Sequence, residues 1–377
     1  MRTLILTCST GGGHNTCAAA IAKAYHQKGL VCDVADTLEF ASLRLSRFIA
    51  WGHITMYRRV PGLFDRGYRF AEQHPGTMEN ETLSRLMSNG ARRLHDHLQA
   101  GGYDAVICVH VFAGLLLRQM LRTFPMALHT AFVATDYTCS PGASAGELDY
   151  YFIPHELLAD EFAAQGISRE KLVVSGIPVD ARFGAVRSPY TGHHLVMMCG
   201  SMGCGPLEEL AEFFIRKLPP DAELTVVCGS NENLRQRLAG LTQGHPRIAV
   251  HGFVTDMPGL LGSADLCLTK PGGLSTTELA AMGIPMVLID AVAGCEAHNL
   301  HFFLDCGGAV TADSPQELGK LCLALLDDPT QRGVMSARLR SVSKPDAADR
   351  VCATMESVSA AHHCPFAAGK QVAPTGL

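Results

Sequence analysis

The feature that most constrains the fold is a regular alternation of short apolar runs with longer amphipathic stretches. Short apolar runs bounded by turn residues are typical of buried strands, and the amphipathic stretches between them predict covering helices. This order is that of repeated βαβ units, which build parallel sheets covered by helices on both faces. The predicted strands cover residues 4–8, 31–35, 105–111, 130–135, 150–153 and 172–174 in the first half, and 195–199, 224–228, 248–250, 266–269, 285–289 and 309–311 in the second.

These predicted strands fall into two equal sets, separated by a polar stretch at residues 181–192. A chain of 377 residues is long enough for two domains of ordinary size. We therefore predict an α/β protein of two Rossmann-like domains, residues 1–185 and 190–345, followed by a helix and a frayed tail over 346–377. Open α/β sheets bind ligands at the carboxyl ends of their strands, so we expect the site in a cleft between the two domains.

Composition narrows the class of function. The net charge of −5 argues against a protein that binds nucleic acid through its overall charge. The 14 cysteines show no paired spacing and several lie inside predicted strands, so we expect free thiols in a reducing, cytoplasmic compartment. The longest nearly apolar run, residues 105–117, contains His110 and is too short to cross a membrane. If the protein works at a membrane, we expect it to lie on the surface.

The first candidate motif is Gly11-Gly12-Gly13-His14-Asn15, between the first predicted strand and a predicted helix at residues 17–25. Glycines allow backbone N–H groups to approach an anion at a helix N-terminus. The motif matches neither a P-loop nor the dinucleotide fingerprint. His14 is therefore expected at the mouth of the cleft, where it could take a proton from an acceptor hydroxyl or donate a hydrogen bond to a phosphate. The alternative is a helix-capping turn with an incidental histidine.

A second glycine loop follows the seventh predicted strand, at residues 199–206. Its glycines and Ser201 suit contact with a diphosphate, and Pro206 suits the first turn of the helix that follows. An ordinary connection between a strand and a helix has the same composition, so this loop is a weak signal by itself.

The third motif runs from Lys270 to Glu278, between a predicted strand and a predicted helix at residues 276–282. Its Pro-Gly-Gly sequence sharpens the turn, and Ser275 or Thr276 could cap the helix and bond phosphate oxygens. Glu278 lies about one turn further on, where its carboxylate could accept hydrogen bonds from a ribose diol. The competing interpretation is a capping box formed by Ser275 and Glu278, without a ligand.

The segment 294–299 follows another strand and places Cys295, Glu296 and Asn299 at the same edge, where they could contact sugar hydroxyls. Neither His298 nor His301 has the spacing of a zinc site. The chain contains no Asp-x-Asp sequence, the usual means of holding a metal on a sugar diphosphate. We therefore expect no metal and no cofactor, and we expect helix N-termini to stabilise the charge of the leaving group.

Residues 40–70 contain six arginines and one acidic residue, together with many aromatic side chains. Arginine mixed with aromatic rings is typical of a surface that lies on anionic lipid. An ordinary amphipathic segment packed on the first domain is the alternative. The residues predicted to contact the membrane or the acceptor are Phe48, Trp51, Arg58 and Arg59.

Taken together, these motifs resemble glycosyltransferase family 28, in particular the synthases of monogalactosyl- and glucosyl-diacylglycerol. The Gly-Gly-Gly-His-Asn sequence is similar to the N-terminal signature of those synthases, and residues 252–278 are similar to the donor site of the family. The resemblance implies a GT-B fold and an inverting, metal-free transfer of a hexose from a UDP-sugar to diacylglycerol. It also implies a peripheral enzyme on the anionic, cytoplasmic face of the membrane.

The resemblance assigns roles to individual residues. Phe253 and Val254 would lie against the uracil, Glu278 would bind the ribose, and His14 or Asp136 would be the base. The residues assigned to the donor are Gly13, Asn15, Gly200, Ser201, Met202, Gly203, Phe253, Val254, Met257, Pro271, Gly272, Gly273, Leu274, Ser275, Thr276, Glu278, Cys295, Glu296 and Asn299.

One departure from the family leaves the sugar open. The chain has Ala293-Gly294-Cys295-Glu296 where many members have Pro-Gly-Gln-Glu, so an amide that would touch the donor sugar is missing. Glucose, galactose and an N-acetylhexosamine all stay possible. The rival functions are an N-acetylglucosaminyltransferase acting on another lipid-linked acceptor, a UDP-sugar epimerase, and a membrane-docked sensor of nucleotide sugars.

The basic and aromatic segment gives a first testable prediction. Replacing Trp51, Arg58 and Arg59 together by alanine should abolish binding to anionic vesicles, because both the rings and the charges that hold the surface are lost. Affinity for soluble UDP should stay unchanged. Sedimentation with vesicles measures the first and calorimetry the second, and unchanged vesicle binding would reject this docking surface.

Overall fold

The structure is a computed structural model, and it describes residues 1–9, 12–40, 81–185, 193–289 and 294–362. Side chains of the helix at 81–101 are described from residue 88, and those of the last helix up to residue 358. The chain forms two six-stranded sheets in which every pairing is parallel. The predicted α/β class with two sheets is confirmed.

The first sheet has the strand order β2-β1-β3-β4-β5-β6. Its strands and helices are β1 (Arg2–Thr7), α1 (Gly12–Gln27), β2 (Val31–Asp36), α2 (Thr37–Phe40), α3 (Glu81–Gly101), β3 (Ala105–Cys108), α4 (Val111–Thr123), β4 (His129–Val133), β5 (Tyr150–Ile153), α5 (Ala159–Ala164), β6 (Leu172–Val174) and α6 (Arg182–Ala185). Single turns of 3₁₀ helix lie at Ser144–Gly146, Glu156–Leu158 and Arg169–Lys171.

The second sheet has the order β12-β11-β10-β7-β8-β9. Its elements are β7 (His193–Met198), α7 (Leu207–Lys217), β8 (Ala222–Val227), α8 (Glu232–Leu241), β9 (Ile248–His251), α9 (Met257–Leu261), β10 (Leu266–Thr269), α10 (Gly273–Met282), β11 (Met286–Leu288), α11 (Cys295–Asp305), β12 (Ala309–Thr311), α12 (Pro315–Leu326), α13 (Pro329–Val342) and α14 (Ala347–His362).

Both faces of each sheet are covered, which is why the strands are apolar throughout. In β1, Ile5 belongs to one core cluster while Leu4 and Leu6 belong to another, because successive side chains point to opposite faces. In β7, Val196 belongs to the same cluster as Ile5. The two domains therefore share one continuous apolar cluster on the faces that lie towards each other.

The last helix joins this shared cluster. Val351 and Met355 of α14 are fully buried, and α14 packs against α1 of the first domain. An ion pair between Lys28 and Glu356, with Nζ and Oε2 3.6 Å apart, lies at the edge of this contact. The chain thus begins and ends its described part in the same domain, after passing through the second.

The topology places the loops of interest at two strand-order reversals. In the first sheet the order reverses between β1 and β3, and in the second between β7 and β10. Loops at such a reversal diverge to opposite faces and leave a crevice that binds ligands. The loops after β1 and β3 therefore form one crevice, and the loops after β7 and β10 form the other.

Candidate active site

The first glycine loop brings the two domains into contact. Helix α1 begins at Gly12, five residues before the predicted start at residue 17, so His14 lies in its first turn. A Cβ atom on Gly12 would lie 2.6 Å from Ser201 Oγ, and one on Gly13 would lie 3.3 Å from Leu274 Cδ2. A Cβ atom on Gly12 would overlap the Ser201 side chain, and one on Gly13 would crowd Leu274, so glycine permits this close approach of the two domains.

Asn15 has a different contact from the predicted one. Its Oδ1 accepts from Thr7 Oγ1 at 2.8 Å, and its Nδ2 donates to Ser9 Oγ at 3.2 Å. The exposed amide therefore links the end of β1 to the first turn of α1, which also carries His14.

His14 is partly buried, and its Nδ1 atom is shielded from solvent. Its ring packs edge-to-face against that of His110, with the centroids 4.7 Å apart. His110 follows β3 and is the N-cap residue of α4. Two histidines from two strand ends thus meet at the crevice of the first sheet.

The second glycine loop, residues 199–206, contains glycines in left-handed backbone conformations. Gly200 and Gly203 have φ angles of 68° and 57°, and a Cβ atom on Gly203 would lie 2.1 Å from the carbonyl oxygen of Cys228. Ser230 donates its backbone N–H to Ser201 O at 2.8 Å, and Asn231 Nδ2 donates to Gly203 O at 3.1 Å. The loop after β8 therefore braces this loop, and the exposed Ser201 is presented to the N-terminus of α1.

The loop between β10 and α10 decides between a ligand site and a capping box formed by Ser275 and Glu278. Helix α10 begins at Gly273, three residues earlier than predicted. Its N-cap residue is Gly272, and no side chain caps the helix with a hydrogen bond. Ser275 is therefore the third helical residue and cannot act as the N-cap, so the capping-box interpretation is wrong. Thr276 is buried and its hydroxyl donates to Gly272 O at 3.0 Å, so it is not directed at a ligand as predicted.

Asn299 is the central link between the domains. Its Nδ2 atom donates to Asp136 Oδ1 at 2.8 Å and to Pro271 O at 3.0 Å, and its Oδ1 accepts from Tyr137 N at 2.6 Å. The side chain is fully buried. Its amide is thus occupied by the protein itself, in place of the predicted contact with the donor sugar.

The backbone makes the same junction close. A Cβ atom on Gly273 would lie 2.0 Å from Thr135 O, so only glycine fits here. The N–H of Gly273 donates to Asp136. The carboxyl group of the first domain therefore lies at the positive end of α10, where helices favour negative charge.

The pKa of the Asp136 carboxyl group is raised. Burial raises the pKa of Asp136 to about 6, and the neighbouring Glu296 adds to the rise. Hydrogen bonds from Asn299, Thr135 and Gly273 oppose it. A pKa near 6 leaves the group mainly ionised at pH 7 and close enough to neutrality to accept a proton, as a general base requires.

Lys270 supplies a buried cation beside this junction. Its side chain is 8% exposed, and its Nζ lies 3.4 Å from Oε2 of Glu296 in the first turn of α11. Cys295 Sγ lies 3.8 Å from Ser140 Oγ of the first domain. The segment predicted to touch the sugar therefore borders both domains, and it carries an ion pair that the sequence motif did not reveal.

Glu278 lies further along α10, against the segment that joins the two domains. Burial raises the pKa of Glu278 to about 8, and the Asp180 carboxylate adds to the rise. Asp180 is itself held by Lys23 Nζ at 3.0 Å and by Arg182. Without a ligand, the native fold therefore favours the protonated form of Glu278.

Three predicted donor residues follow β9. Phe253 is 67% exposed, an unusual state for a large aromatic ring, while Val254 and Met257 pack partly into the shared core. An exposed ring on an anchored loop at the carboxyl edge of a sheet is suited to stack on a base.

The residues predicted to contact the membrane or the acceptor, Phe48, Trp51, Arg58 and Arg59, lie outside the described part of the chain. Ala293, where the sequence departs from the family, also lies outside it. Among the residues that the structure describes, no helix is long and apolar enough to cross a membrane. Within the same residues, no three His, Cys, Asp or Glu side chains form a group that could hold a metal ion.

Comparisons with known proteins agree with this geometry. Residues 14–179 match the model of the monogalactosyldiacylglycerol (MGDG) synthase family, and residues 194–328 match that of the glycosyl transferases group 1. The processive diacylglycerol beta-glucosyltransferase of Bacillus thuringiensis (strain Al Hakam) is 26% identical over 370 residues, covering 94% of this chain and 93% of the relative. These matches support a glycosyltransferase of the glycolipid-synthase type.

Solved structures show the fold of this glycosyltransferase. MurG of Acinetobacter baumannii superimposes with a TM-score of 0.60 at 15% identity, covering 94% of this chain and 99% of the other. S. aureus MnaA, solved with UDP, gives 0.63 at 16% identity, covering 96% and 97%. The predicted GT-B fold is confirmed.

Sequence reasoning missed three residues of the site. His110 lies at the carboxyl end of an apolar run. Because ligands bind at the carboxyl ends of strands in open α/β sheets, its position could have marked it as a site residue. Lys270 was inside a recognised motif, but only the fold shows its ion pair with Glu296. Asp180 carries no local signal, because its approach to Glu278 depends on how α6 packs against α10.

The shifted titration of Glu278 predicts a stabilising substitution. In the unfolded chain Glu278 ionises near its ordinary pKa of 4.5, whereas in the native fold it keeps its proton to about pH 8. The free energy of unfolding therefore falls as the pH rises from about 4.5 to 8. Glu278→Gln removes this loss and should raise the unfolding free energy by about 1–3 kcal/mol at pH 7, and by almost nothing at pH 4.

Urea unfolding at several pH values measures this effect. The exposed Glu223 provides a control, since Glu223→Gln should leave the midpoint unchanged at every pH. A lower midpoint for Glu278→Gln than for the unsubstituted enzyme at pH 7 would contradict the burial argument.

The junction at Asn299 predicts a destabilising substitution. Asn299→Ala removes three hydrogen bonds and leaves the Asp136 carboxylate with fewer donors, so the unfolding free energy should fall by about 2–4 kcal/mol. Tyr137→Phe is the control at the same junction: it removes only the bond to Thr277 Oγ1 and should cost about 1 kcal/mol. Equal losses for the two variants in urea unfolding would show that Asn299 is not the central link.

Proposed function

We propose that this enzyme transfers a hexose from a UDP-sugar to diacylglycerol, with inversion and without a metal, at the cytoplasmic surface of the membrane. One observation carries the proposal: the crevices of the two sheets face each other, with Gly12 against Ser201 and Gly13 against Leu274. A donor bound at one crevice would thus present its sugar to a base at the other.

The second domain fits a nucleoside diphosphate. Phe253 offers a ring to the base, and the first-turn amides of α10 and its positive end suit the diphosphate. Glu278 offers a carboxyl group to the ribose diol. The two hydroxyl groups of the diol would donate to the ionised carboxylate and stabilise it, so donor binding should lower the pKa of Glu278 and release its proton.

The positive charges explain how the leaving group could depart without a metal. As the bond between the sugar C1 and the phosphate oxygen breaks, negative charge develops on the diphosphate. Lys270 lies directly after β10, at the start of the loop that leads into α10, and is already desolvated. Its ammonium group and the α10 amides together suit that charge, which Mg²⁺ or Mn²⁺ neutralises in other enzymes.

The first domain supplies the base. The acceptor hydroxyl oxygen forms a bond to C1 of the sugar, its proton passes to His14 or Asp136, and UDP leaves with the electron pair of the broken bond. A single displacement of this kind inverts the configuration at C1. Both candidates lie near the first turn of α10, since Gly13 beside His14 approaches Leu274 and Asp136 accepts from Gly273 N.

The acceptor and the sugar are proposed from the relatives. The names of the curated relatives specify diacylglycerol and glucose, and the N-terminal family model specifies a synthase of a galactolipid. These names make glucose and galactose the first donors to test, while Cys295 in place of an amide side chain leaves the sugar open. The composition of the basic and aromatic segment within 40–70 supports a lipid-facing role, since arginine mixed with aromatic rings suits an anionic membrane surface.

The decisive experiment mixes the full chain with vesicles of diacylglycerol and anionic lipid and with a panel of UDP-sugars. We expect one glycolipid product on lipid chromatography, and we expect its formation to persist in a chelator. No product with any donor would reject the transferase proposal, and retained UDP binding would then favour a sensor. Interconversion of the UDP-sugar without lipid would favour an epimerase.

Two substitutions separate donor binding from proton transfer. Glu278→Ala should raise the donor KM about 10-fold or more, because the ribose contact is lost in ground and transition states alike. His14→Ala should lower kcat about 100-fold or more and leave the donor KM nearly unchanged. If Asp136→Asn lowers kcat and His14→Ala does not, the base is Asp136.

A further inference from the structure

His110 lies beside the proposed base for a reason of topology. β1 and β3 flank the point where the strand order of the first sheet reverses, and His14 and His110 follow these two strands. Chains that leave adjacent strands at such a reversal enclose the ligand crevice. The two rings meet there at a centroid distance of 4.7 Å and an interplanar angle of 70°.

The backbone of α4 fixes the state of the His110 ring. Nδ1 of His110 accepts a hydrogen bond from Phe112 N at 3.0 Å, with φ and ψ of −147° and 144° at the N-cap position. A nitrogen that accepts a hydrogen bond carries no proton, so the neutral ring has its hydrogen on Nε2. The cap therefore fixes both the tautomer and the orientation of the His110 imidazole.

The His14 ring has to be oriented by its surroundings. His14 lies in the first turn of α1, and its Nδ1 atom is buried, so an acceptor hydroxyl would have to approach Nε2. A general base works only when its lone pair points at the proton that it removes. A ring packed edge-to-face on an immobile neighbour has fewer orientations to adopt than a ring in open solvent.

We propose that His110 is a positioning residue, whose capped imidazole holds the His14 ring so that Nε2 can take the proton of the acceptor hydroxyl. This inference rests on the proposed function, and within it on His14 as the base. The transfer itself is unchanged: the hydroxyl oxygen bonds to C1, its proton passes to His14, and UDP leaves with the electron pair.

One substitution separates capping from positioning. His110→Asn keeps a side-chain oxygen that can accept from Phe112 N, because asparagine is a favoured N-cap residue, but it removes the imidazole. His110→Ala removes both. His155 is a matched control: its Nδ1 accepts from Leu157 N at 3.3 Å in the same extended conformation, and its ring packs on Phe302, not on His14.

We expect His110→Asn to keep the urea midpoint of the unsubstituted enzyme and its donor KM, while kcat falls about 10- to 100-fold. His155→Asn should leave kcat unchanged. The double variant His14→Ala/His110→Asn should be no slower than His14→Ala alone, because His110 acts only through His14. An unchanged kcat in His110→Asn, or losses that multiply in the double variant, would overturn the proposal.

A second readout does not depend on catalysis. Nitrogen chemical shifts of the His14 ring report its tautomer, and His110→Asn should change the ratio of the tautomers while His155→Asn should not. If no donor and lipid give a product but the His14 shifts respond, the proposed function fails and the coupling of the two rings stands. If the enzyme is active and the His14 shifts do not respond to His110→Asn, the positioning role is rejected.

Discussion

Gly273 passes so close to the carbonyl oxygen of Thr135 that no side chain fits between the two domains. Asn299 closes the same junction by bonding Asp136, Tyr137 and Pro271 at once. These contacts set the distance between the sheets, and that distance brings the two crevices together. The shared apolar cluster and the return of α14 to the first domain support the closed arrangement over a larger area.

The ionisable groups at the junction have related environments. Asp136 and Glu278 both have raised pKa values because burial disfavours their charged forms, and each has a second carboxylate nearby. Lys270 is the buried cation of the same region and is paired with Glu296. A diphosphate that enters the site would add negative charge near Lys270, and a ribose diol would stabilise ionised Glu278. These buried groups thus suit a ligand that brings both anionic oxygens and hydroxyl groups.

The two predicted helices that border the site begin earlier than expected, for a common reason. The first turn of α1 contains Gly12 and Gly13, and α10 begins at Gly273 after Gly272, whereas pattern rules assign such glycines to loops because glycine weakens isolated helices. Here the neighbouring domain decides: a Cβ atom on Gly273 would collide with Thr135 O, and one on Gly12 would overlap the Ser201 side chain. The same fact makes Ser275 a helical residue and removes the capping-box alternative, which local sequence could not exclude.

The pattern of apolar residues predicts the twelve strands of the described residues, all within three residues of their observed limits. It does so because buried parallel strands are continuous apolar runs with sharp ends. The sequence by itself also determined which loops carry the site, since these loops follow strands and are rich in glycine. Tertiary structure alone decided what each side chain does there. Asn299 holds the domains together, Thr276 bonds its own helix, Lys270 pairs with Glu296, and His110 meets His14. Such contacts join residues up to 163 positions apart, and no local pattern encodes which distant partner a polar atom will find.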